Sequence, residues 1–142
     1  MRFSVIIPCH NAERYIQESL LSAANQTLSP IEIIVVDDGS TDSSVRIVKS
    51  SGVKSRLIST RGLGGAGARN RAIEVTIGEW LAFVDAKEIW YATRLSRARD
   101  LICANPVAGY VSHYDHGSFE RERLKTSPCL FCHRSITYRH LR

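Results

Sequence analysis

The sequence predicts an α/β fold in which a mostly parallel sheet is flanked by helices. Short apolar runs rich in β-branched residues stop abruptly at polar residues, and stretches with helical periodicity separate them. Strands that alternate with helices of about 10 to 15 residues are typical of βαβ units with right-handed crossovers. We predict strands at residues 3–8, 31–36, 56–59 and 79–84.

The first predicted helix follows the first strand directly. Apolar side chains recur along one face at Ile16, Leu20, Ala23 and Ala24, which predicts a helix over residues 12–25. Asn11 stands where an N-cap is expected.

The second strand predicted, residues 31–36, is apolar apart from Glu32, as expected of a strand covered on both faces. Residues 37–40 (DDGS) end it, and residues 41–43 (TDS) are expected to cap a helix that carries Val45 and Val48. The third strand follows at residues 56–59.

A glycine-rich loop is predicted at residues 62–67, before a third helix. That helix carries Ala68, Ala72 and Val75 on one face and is expected to end at Gly78. A fourth helix, with Leu95, Ala98 and Ile102, is expected to end at residues 105–106. We expect Trp80 and Trp90 to lie in the core beside the fourth strand.

Length and composition indicate an ordinary globular domain. The chain has 142 residues, of which 44% are apolar and 23% charged, and no run approaches the roughly 18 apolar residues of a membrane span. The strand pattern starts at Phe3, so we expect no export signal and a cytoplasmic location. We therefore expect the four cysteines to be free thiols.

Polar clusters follow three of the predicted strands, at residues 8–11, 37–39 and 85–88. In open parallel sheets, ligands bind beyond the carboxyl ends of the strands. We therefore expect these clusters to share one rim and to form the ligand site.

Four sequence blocks, taken in order, resemble those of the family 2 glycosyltransferases, inverting enzymes with the GT-A fold. The blocks are residues 5–12 (VIIPCHNA), 33–42 (IIVVDDGSTD), 67–73 (GARNRAI) and 78–86 (GEWLAFVDA). The resemblance implies a Rossmann-like GT-A sheet, a nucleotide-sugar donor that is usually a UDP-sugar, and transfer to a saccharide or lipid-linked acceptor, as in cell-surface polysaccharide synthesis.

The resemblance also implies which residues bind the donor. Pro8, His10 and Glu13 would line the nucleobase end, Asp38 would accept a hydrogen bond from the uracil imide, and Arg69 would lie near the nucleotide. A carboxylate suits the imide because it is an acceptor that pairs with an N–H donor. The full implied set is Pro8, His10, Asn11, Glu13, Asp38, Gly65, Arg69, Asp85, Ala86 and Lys87.

The fourth block departs from the family pattern Asp-Ala-Asp-Asp, in which the acids hold Mg²⁺ or Mn²⁺ on the diphosphate. Here Asp85 and Glu88 are the implied metal ligands, and Lys87 stands at the third position. An ammonium repels each unit of cation charge by about 4 kcal/mol at about 4 Å with an effective dielectric of about 20. Lys87 either replaces the metal on the diphosphate or marks a site that has lost function.

The acceptor half of the family is expected to be incomplete in this chain. We expect one GT-A-like domain over residues 1–142, with the donor half at 1–90 and a helix and partial acceptor side at 91–142. An inverting displacement needs a carboxylate as general base, and no residue after Glu122 is acidic. The sequence identifies no catalytic residue, and a non-catalytic nucleotide-sugar-binding module remains an alternative.

Residues 62–67 (GLGGAG) also match the G-x-G-x-x-G of dinucleotide-binding enzymes, with Asp85 at the end of the next strand. This leaves a nicotinamide or flavin enzyme as a further alternative. We favour the interpretation that the same glycines let the loop pass close to the donor phosphates or ribose.

The last segment offers two other possibilities. Cys129, Cys132 and His133 match a haem attachment pattern and, with His113 and His116, could bind zinc. The basic excess between Glu120 and Arg142 could touch anionic lipid at the inner membrane face, although a solvated surface is the simpler interpretation. We expect no nucleic-acid partner.

Overall fold

The computed structural model describes residues 1–104, 109–112 and 135–139, the last two stretches through their backbone alone. The strands in these residues are β1 (Phe3–Cys9), β2 (Glu32–Asp37), β3 (Arg56–Ser59), β4 (Trp80–Phe83), β5 (Gly109–Ser112) and β6 (Ser135–Arg139). The helices are α1 (Ile16–Ala24), α2 (Ser44–Ser50), α3 (Gly64–Ile73) and α4 (Arg94–Ala104).

The strands form one sheet in the order β3-β2-β1-β4-β6-β5. β1 pairs in parallel with β2 and β4, and β2 pairs in parallel with β3. β6 pairs antiparallel with both β4 and β5. The predicted α/β fold with a mostly parallel sheet is therefore confirmed.

Side chains of β1 pack on both faces of the sheet, which explains why this strand is almost wholly apolar. Val5 and Ile7 belong to a core shared with α1 and α4, whereas Ile6 belongs to a second core with Ala68 and Ala72 of α3. Successive strand residues point to opposite faces, so a central strand between two helical layers needs apolar residues at every position.

The helical faces predicted from the sequence lie in these cores. Ile16, Leu20 and Ala23 of α1 are buried, and so are the predicted residues of α4. Trp80 and Trp90 are each 6% exposed, as expected for core residues, and the Arg94 guanidinium lies 4.9 Å from the centre of the Trp90 ring.

Three predicted helix boundaries are wrong. α1 begins at Ile16 with Tyr15 at the N-cap, so Asn11 is not the cap. α3 begins at Gly64, so the glycine-rich stretch is partly helical. The same helix has ten residues and ends at Ile73, so neither Val75 nor Gly78 belongs to it.

The start of β4 is held tightly against β1. Gly78 N donates to Ser4 Oγ at 2.9 Å, and Ser4 Oγ in turn donates to the Glu32 carboxylate of β2. A Cβ built on Gly78 would lie 2.5 Å from Ser4 Oγ and 2.6 Å from Ser4 N. Only glycine lets the two backbones approach this closely.

Replacement of Gly78 by alanine is therefore expected to lower the free energy of unfolding by about 1 to 3 kcal/mol, because the added methyl group must push β1 and β4 apart. Gly65→Ala is the matched control, since a Cβ at Gly65 would meet only the end of the Arg69 side chain. Its effect should stay within about 1 kcal/mol. Urea unfolding of both variants measures the difference, and equal stability of Gly78→Ala and wild type would contradict the close contact.

Candidate functional site

The parallel strands β1, β2, β3 and β4 all end at one edge of the sheet, called here the C-terminal edge. Backbone hydrogen bonds extend past the strand ends, from Asp38 N to Cys9 O at 2.9 Å and from Thr60 N to Asp37 O at 2.7 Å. The predicted polar clusters at residues 8–11, 37–39 and 85–88 thus lie along this edge. Helix α3 joins two of these clusters, because its first residue Gly64 bonds to Asp38 and its Arg69 pairs with Asp85.

The Asp38 carboxylate accepts three hydrogen bonds at the edge. Its Oδ1 accepts hydrogen bonds from Thr60 Oγ1 at 2.9 Å and Leu63 N at 3.0 Å, and its Oδ2 accepts from Gly64 N at 2.7 Å. Asp38 follows β2, Thr60 follows β3, and Gly64 begins α3. One carboxylate therefore fixes the relative positions of two strand ends and a helix start.

The same hydrogen bonds keep Asp38 ionised. They lower its pKa below the usual aspartate value, with the Leu63 amide as the largest cause and Thr60 and Gly64 adding to it. Negative charge at a helix start is also favoured by the helix dipole. Asp38 is thus a fixed anion whose carboxylate points along the C-terminal edge.

The imidazole of His10 is hydrogen-bonded to the backbone of Asp38. Its Nδ1 lies 2.9 Å from the backbone oxygen of Asp38, and because a carbonyl only accepts, Nδ1 carries the proton. The Asn11 amide nitrogen is 3.4 Å from Nε2 and donates to it. The exposed ring is thereby held in one orientation beside the backbone of Asp38.

Asn11 has a structural role that the sequence did not indicate. Its backbone is left-handed, with φ at 46°, and its Oδ1 accepts from Thr41 N at 2.8 Å. Asparagine tolerates this conformation better than most residues. The turn it makes directs His10 toward Asp38 and attaches the loop after β1 to the loop after β2.

Glu13 also joins these two loops. Its carboxylate accepts from Ser43 N at 2.9 Å, while Glu13 N donates to Asp42 Oδ2 at 3.0 Å. Ala12 N donates to the buried Ser44 Oγ at 2.8 Å. Glu13 therefore holds the two loops together, and its carboxylate is already engaged by the protein.

Sequence reasoning did not single out Thr60, Asp42 or Ser44, which complete this hydrogen-bonded frame. Thr60 is the first polar residue after β3, the same signal that pointed to Asp38 after β2. Asp42 was considered only as part of a helix cap and Ser44 not at all, and Asp42 Oδ1 does accept from Ser44 N at 2.9 Å. Asp42 and Ser44 also join the loop after β2 to residues 12 and 13, about 30 residues earlier in the sequence. Periodicity cannot predict such contacts.

The other end of the site is an ion pair between Arg69 of α3 and Asp85 after β4. Both side chains are partly exposed, at 33% and 53%. Gly65, one helical turn earlier, leaves room for the guanidinium, since a Cβ there would lie 3.1 Å from Arg69 Nη1. The start of α3 is thus bonded to Asp38, and its Arg69 pairs with Asp85. The helix therefore connects the two halves of the edge.

Asp85 opens a tight turn. Glu88 N donates to Asp85 O at 2.9 Å, and Asp85 N donates to Glu88 Oε2 at 3.4 Å. Burial, and secondarily the Asp85 charge, raise the pKa of Glu88. Ala86 is buried and its carbonyl accepts from Ser19 Oγ at 2.9 Å, whereas Lys87 is exposed at the turn.

These residues do not fit the Mg²⁺ or Mn²⁺ that the resemblance implies. The Asp85 carboxylate already pairs with Arg69, Glu88 bonds back to the turn, and the position between them is the cation Lys87. Within residues 1–104 and the described parts of β5 and β6, no group of three or more His, Cys, Asp or Glu side chains could hold a metal. Even a Mg²⁺ that takes most of its oxygen ligands from phosphates and water needs one or two carboxylates from the protein.

The dinucleotide interpretation of residues 62–67 loses its physical basis here. In that motif the amides at a helix start bind the pyrophosphate. The amides of Leu63 and Gly64 instead donate to Asp38. A second anion at the same place would be repelled by the carboxylate.

Part of the sequence-based site lies outside the described residues. Cys129, Cys132, His133, His113 and His116 are among these, so the zinc and haem predictions stay untested. Of the cysteines that are described, Cys9 is buried and Cys103 exposed, and both are free thiols as expected. None of the helices in the described residues is long and apolar enough to cross a membrane.

Comparison with known proteins identifies the family. The profile described as Glycosyl transferase family 2 matches residues 4–141. The chain is 32% identical over 114 residues to the Escherichia coli UDP-Glc:alpha-D-GlcNAc-diphosphoundecaprenol beta-1,3-glucosyltransferase WfgD. The alignment covers 79% of this chain and 45% of the relative. The chain spans between 37% and 50% of the length of the first curated relatives it matches.

Solved structures give the same answer. S. aureus TarS 1-349 in complex with UDP-GlcNAc superposes with a TM-score of 0.73 at 28% identity, over 98% of this chain and 45% of TarS. The Pyrobaculum calidifontis mannosyltransferase PcManGT, in complex with GDP-Man and Mn²⁺, has a TM-score of 0.69 at 27% identity, over 76% of this chain and 34% of that one. This chain therefore belongs to glycosyl transferase family 2 and has the GT-A fold of that family.

Proposed function

We propose that this chain binds a UDP-sugar along the C-terminal edge and takes part in transfer of the sugar to a saccharide or lipid-linked acceptor in polysaccharide synthesis. The observation that carries the proposal is the pairing of Asp38 with His10 at one end of the edge and of Arg69 with Asp85 at the other, both ends joined by α3. Relatives whose names specify UDP-Glc, and a neighbour bound to UDP-GlcNAc, support the choice of nucleotide.

The uracil is proposed to bind at Asp38. A carboxylate offers about four acceptor positions, and the chain itself uses three of them. The remaining position accepts the imide N–H, and the exposed His10 ring supplies a flat surface for the base. Pro8, half-buried at the end of β1, and the frame built by Asn11 and Glu13 keep this surface in place.

The ribose and the diphosphate are proposed to lie between α3 and the turn after β4. Asp85 would accept from the ribose hydroxyls, as the carboxylate is half exposed and held by Arg69. Gly65 and Ala86 are small enough to let the nucleotide lie close to the backbone. Lys87 and Arg69 supply positive charge near the diphosphate.

The acceptor is proposed to be lipid-linked, because the WfgD relative is named for a diphosphoundecaprenol acceptor. Such a substrate places the reaction at the inner face of the membrane, where the basic residues between Glu120 and Arg142 would meet anionic lipid. The transfer needs a base that deprotonates the acceptor hydroxyl, and we assign that role to no residue of the described part.

A second candidate function is nucleotide-sugar binding without transfer. Lys87 in place of the family's metal-binding acid is the observation that favours it. Both candidates predict donor binding, and they differ only in turnover of the sugar. Release of UDP from UDP-glucose or UDP-GlcNAc, with a diphosphoundecaprenol-linked saccharide as acceptor, separates them.

Titration of the chain with nucleotides tests the proposed donor site. UDP should bind at least about tenfold more tightly than CDP, because cytosine lacks the imide N–H that Asp38 accepts. N3-methyl-UDP, in which the imide hydrogen is replaced, should lose the same factor. Equal affinity for UDP, CDP and the methylated nucleotide, or no binding of any of them, would contradict the assignment of Asp38 to the base.

Asp38→Asn should destabilise the fold in a pH-dependent way. The folded pKa of Asp38 lies below its unfolded value, so the carboxylate stabilises the protein at neutral pH, and this contribution is lost as the pH falls through the lowered pKa. The variant should be less stable than wild type near pH 7, and the difference should shrink below about pH 4.

Asp100→Asn is the control for this experiment. Asp100 is an exposed α4 residue paired only with the neighbouring Arg99 in the described contacts, so its replacement should leave the melting temperature nearly unchanged. Thermal melts from pH 3 to pH 8 compare the three proteins. A constant difference between wild type and Asp38→Asn across this range would show that the charge of Asp38 is not what holds the edge together.

A further inference from the structure

We propose that this chain holds the donor diphosphate with the Lys87 ammonium and without a divalent metal ion. The inference rests on the proposed function, since its ligand is the diphosphate of the same donor. It goes beyond that function by naming the group that replaces the metal of related enzymes.

The turn that carries Lys87 is fixed in place. Val84 N donates to Ile6 O at 3.1 Å, so β4 remains attached to β1 up to the residue before Asp85. The turn closes through the hydrogen bond from Glu88 N to Asp85 O, and its buried residue Ala86 accepts from Ser19 of α1. Lys87 is the exposed residue between Ala86 and Glu88, at the C-terminal edge.

The carboxylates beside Lys87 are already engaged by the protein. Asp85 pairs with Arg69, and Glu88 accepts from the Asp85 amide. A divalent cation would have to share the Asp85 carboxylate with Arg69 and then lie next to an ammonium. Both steps act against metal binding.

The charges of the turn and of Arg69 balance without a metal. Arg69 and Lys87 carry two positive charges, and ionised Asp85 and Glu88 carry two negative charges. An aspartate at position 87 would instead leave a net charge of about minus two, which one divalent cation would cancel. Lys87 therefore gives this end of the site the same net charge that a bound Mg²⁺ or Mn²⁺ gives to an all-acid turn.

A lysine is also chemically suited to the task. Its ammonium is a compact point charge with three N–H donors on a flexible stem, and it commonly binds phosphate. Exposure of Lys87 leaves this group available for a ligand that lies along the edge. As the acceptor oxygen bonds to the anomeric carbon and loses its proton to the general base, UDP would leave, and the ammonium would stabilise the charge that develops on the departing diphosphate.

The test compares calorimetric titrations of UDP and of uridine into the 142-residue chain in EDTA and in Mn²⁺. Wild type should bind UDP equally well, within about twofold, in both buffers. Lys87→Ala should lose at least about tenfold in UDP affinity and keep its affinity for uridine, which has no diphosphate. Lys87→Arg should retain binding in EDTA.

Lys87→Asp gives the sharpest result. It should lose UDP binding in EDTA and regain it in Mn²⁺, because the substitution restores the charge that attracts a metal. Lys54→Ala is the matched control, since Lys54 is an exposed lysine before β3, at the opposite edge of the sheet, and should bind UDP like wild type. Melting temperatures confirm that every variant folds.

Three outcomes would overturn the proposal. Binding of UDP by wild type only in Mn²⁺ would show an intact metal site despite Lys87 and would leave the proposed function standing. Equal UDP affinity of wild type and Lys87→Ala in EDTA would show that the ammonium does not touch the diphosphate. Absence of both UDP and uridine binding in either buffer would overturn the proposed function together with this inference.

Discussion

The Asp38 carboxylate accepts hydrogen bonds from Thr60, Leu63 and Gly64, and the rest of the C-terminal edge depends on these bonds. They attach the end of β2 to the residue after β3 and to the start of α3. Because α3 then carries Arg69 to Asp85, the position of the ion pair is set at the far end of the same helix. The backbone oxygen of Asp38 also orients His10. A single buried anion thus organises both halves of the site.

The charge of the edge explains what it can bind. Asp38 occupies the helix start where a phosphate would otherwise bind, so the positive charge available to a diphosphate lies near β4 instead. There, Arg69 is held by Asp85 while Lys87 is exposed. In the proposed binding mode, base recognition and phosphate recognition are therefore separated along α3, as an extended nucleotide requires.

Local patterns were enough to predict the four parallel strands and the four helices, whereas the antiparallel strands β5 and β6 and the contacts between distant loops were not predicted. The apolar runs of β1 and β2 and the buried faces of α1 and α4 follow from periodicity alone. The polar residues at strand ends, such as Asp38 and Asp85, were found because parallel strands end together. The roles of Asn11, Ser44 and Thr60 depend on hydrogen bonds across 22 to 32 residues, and the start of α3 at Gly64 is bonded to Asp38, which follows β2. No local rule contains that information.

Mapping UDP onto the folded chain by NMR tests the central claim, that one nucleotide spans the edge from Asp38 to Lys87. The account predicts that UDP shifts the backbone amide signals of His10, Asp38 and Lys87 together, at a common affinity, and leaves those of Gly52 and Lys54 at the opposite edge unchanged. Shifts confined to one end of α3, or centred on the opposite edge, would contradict it.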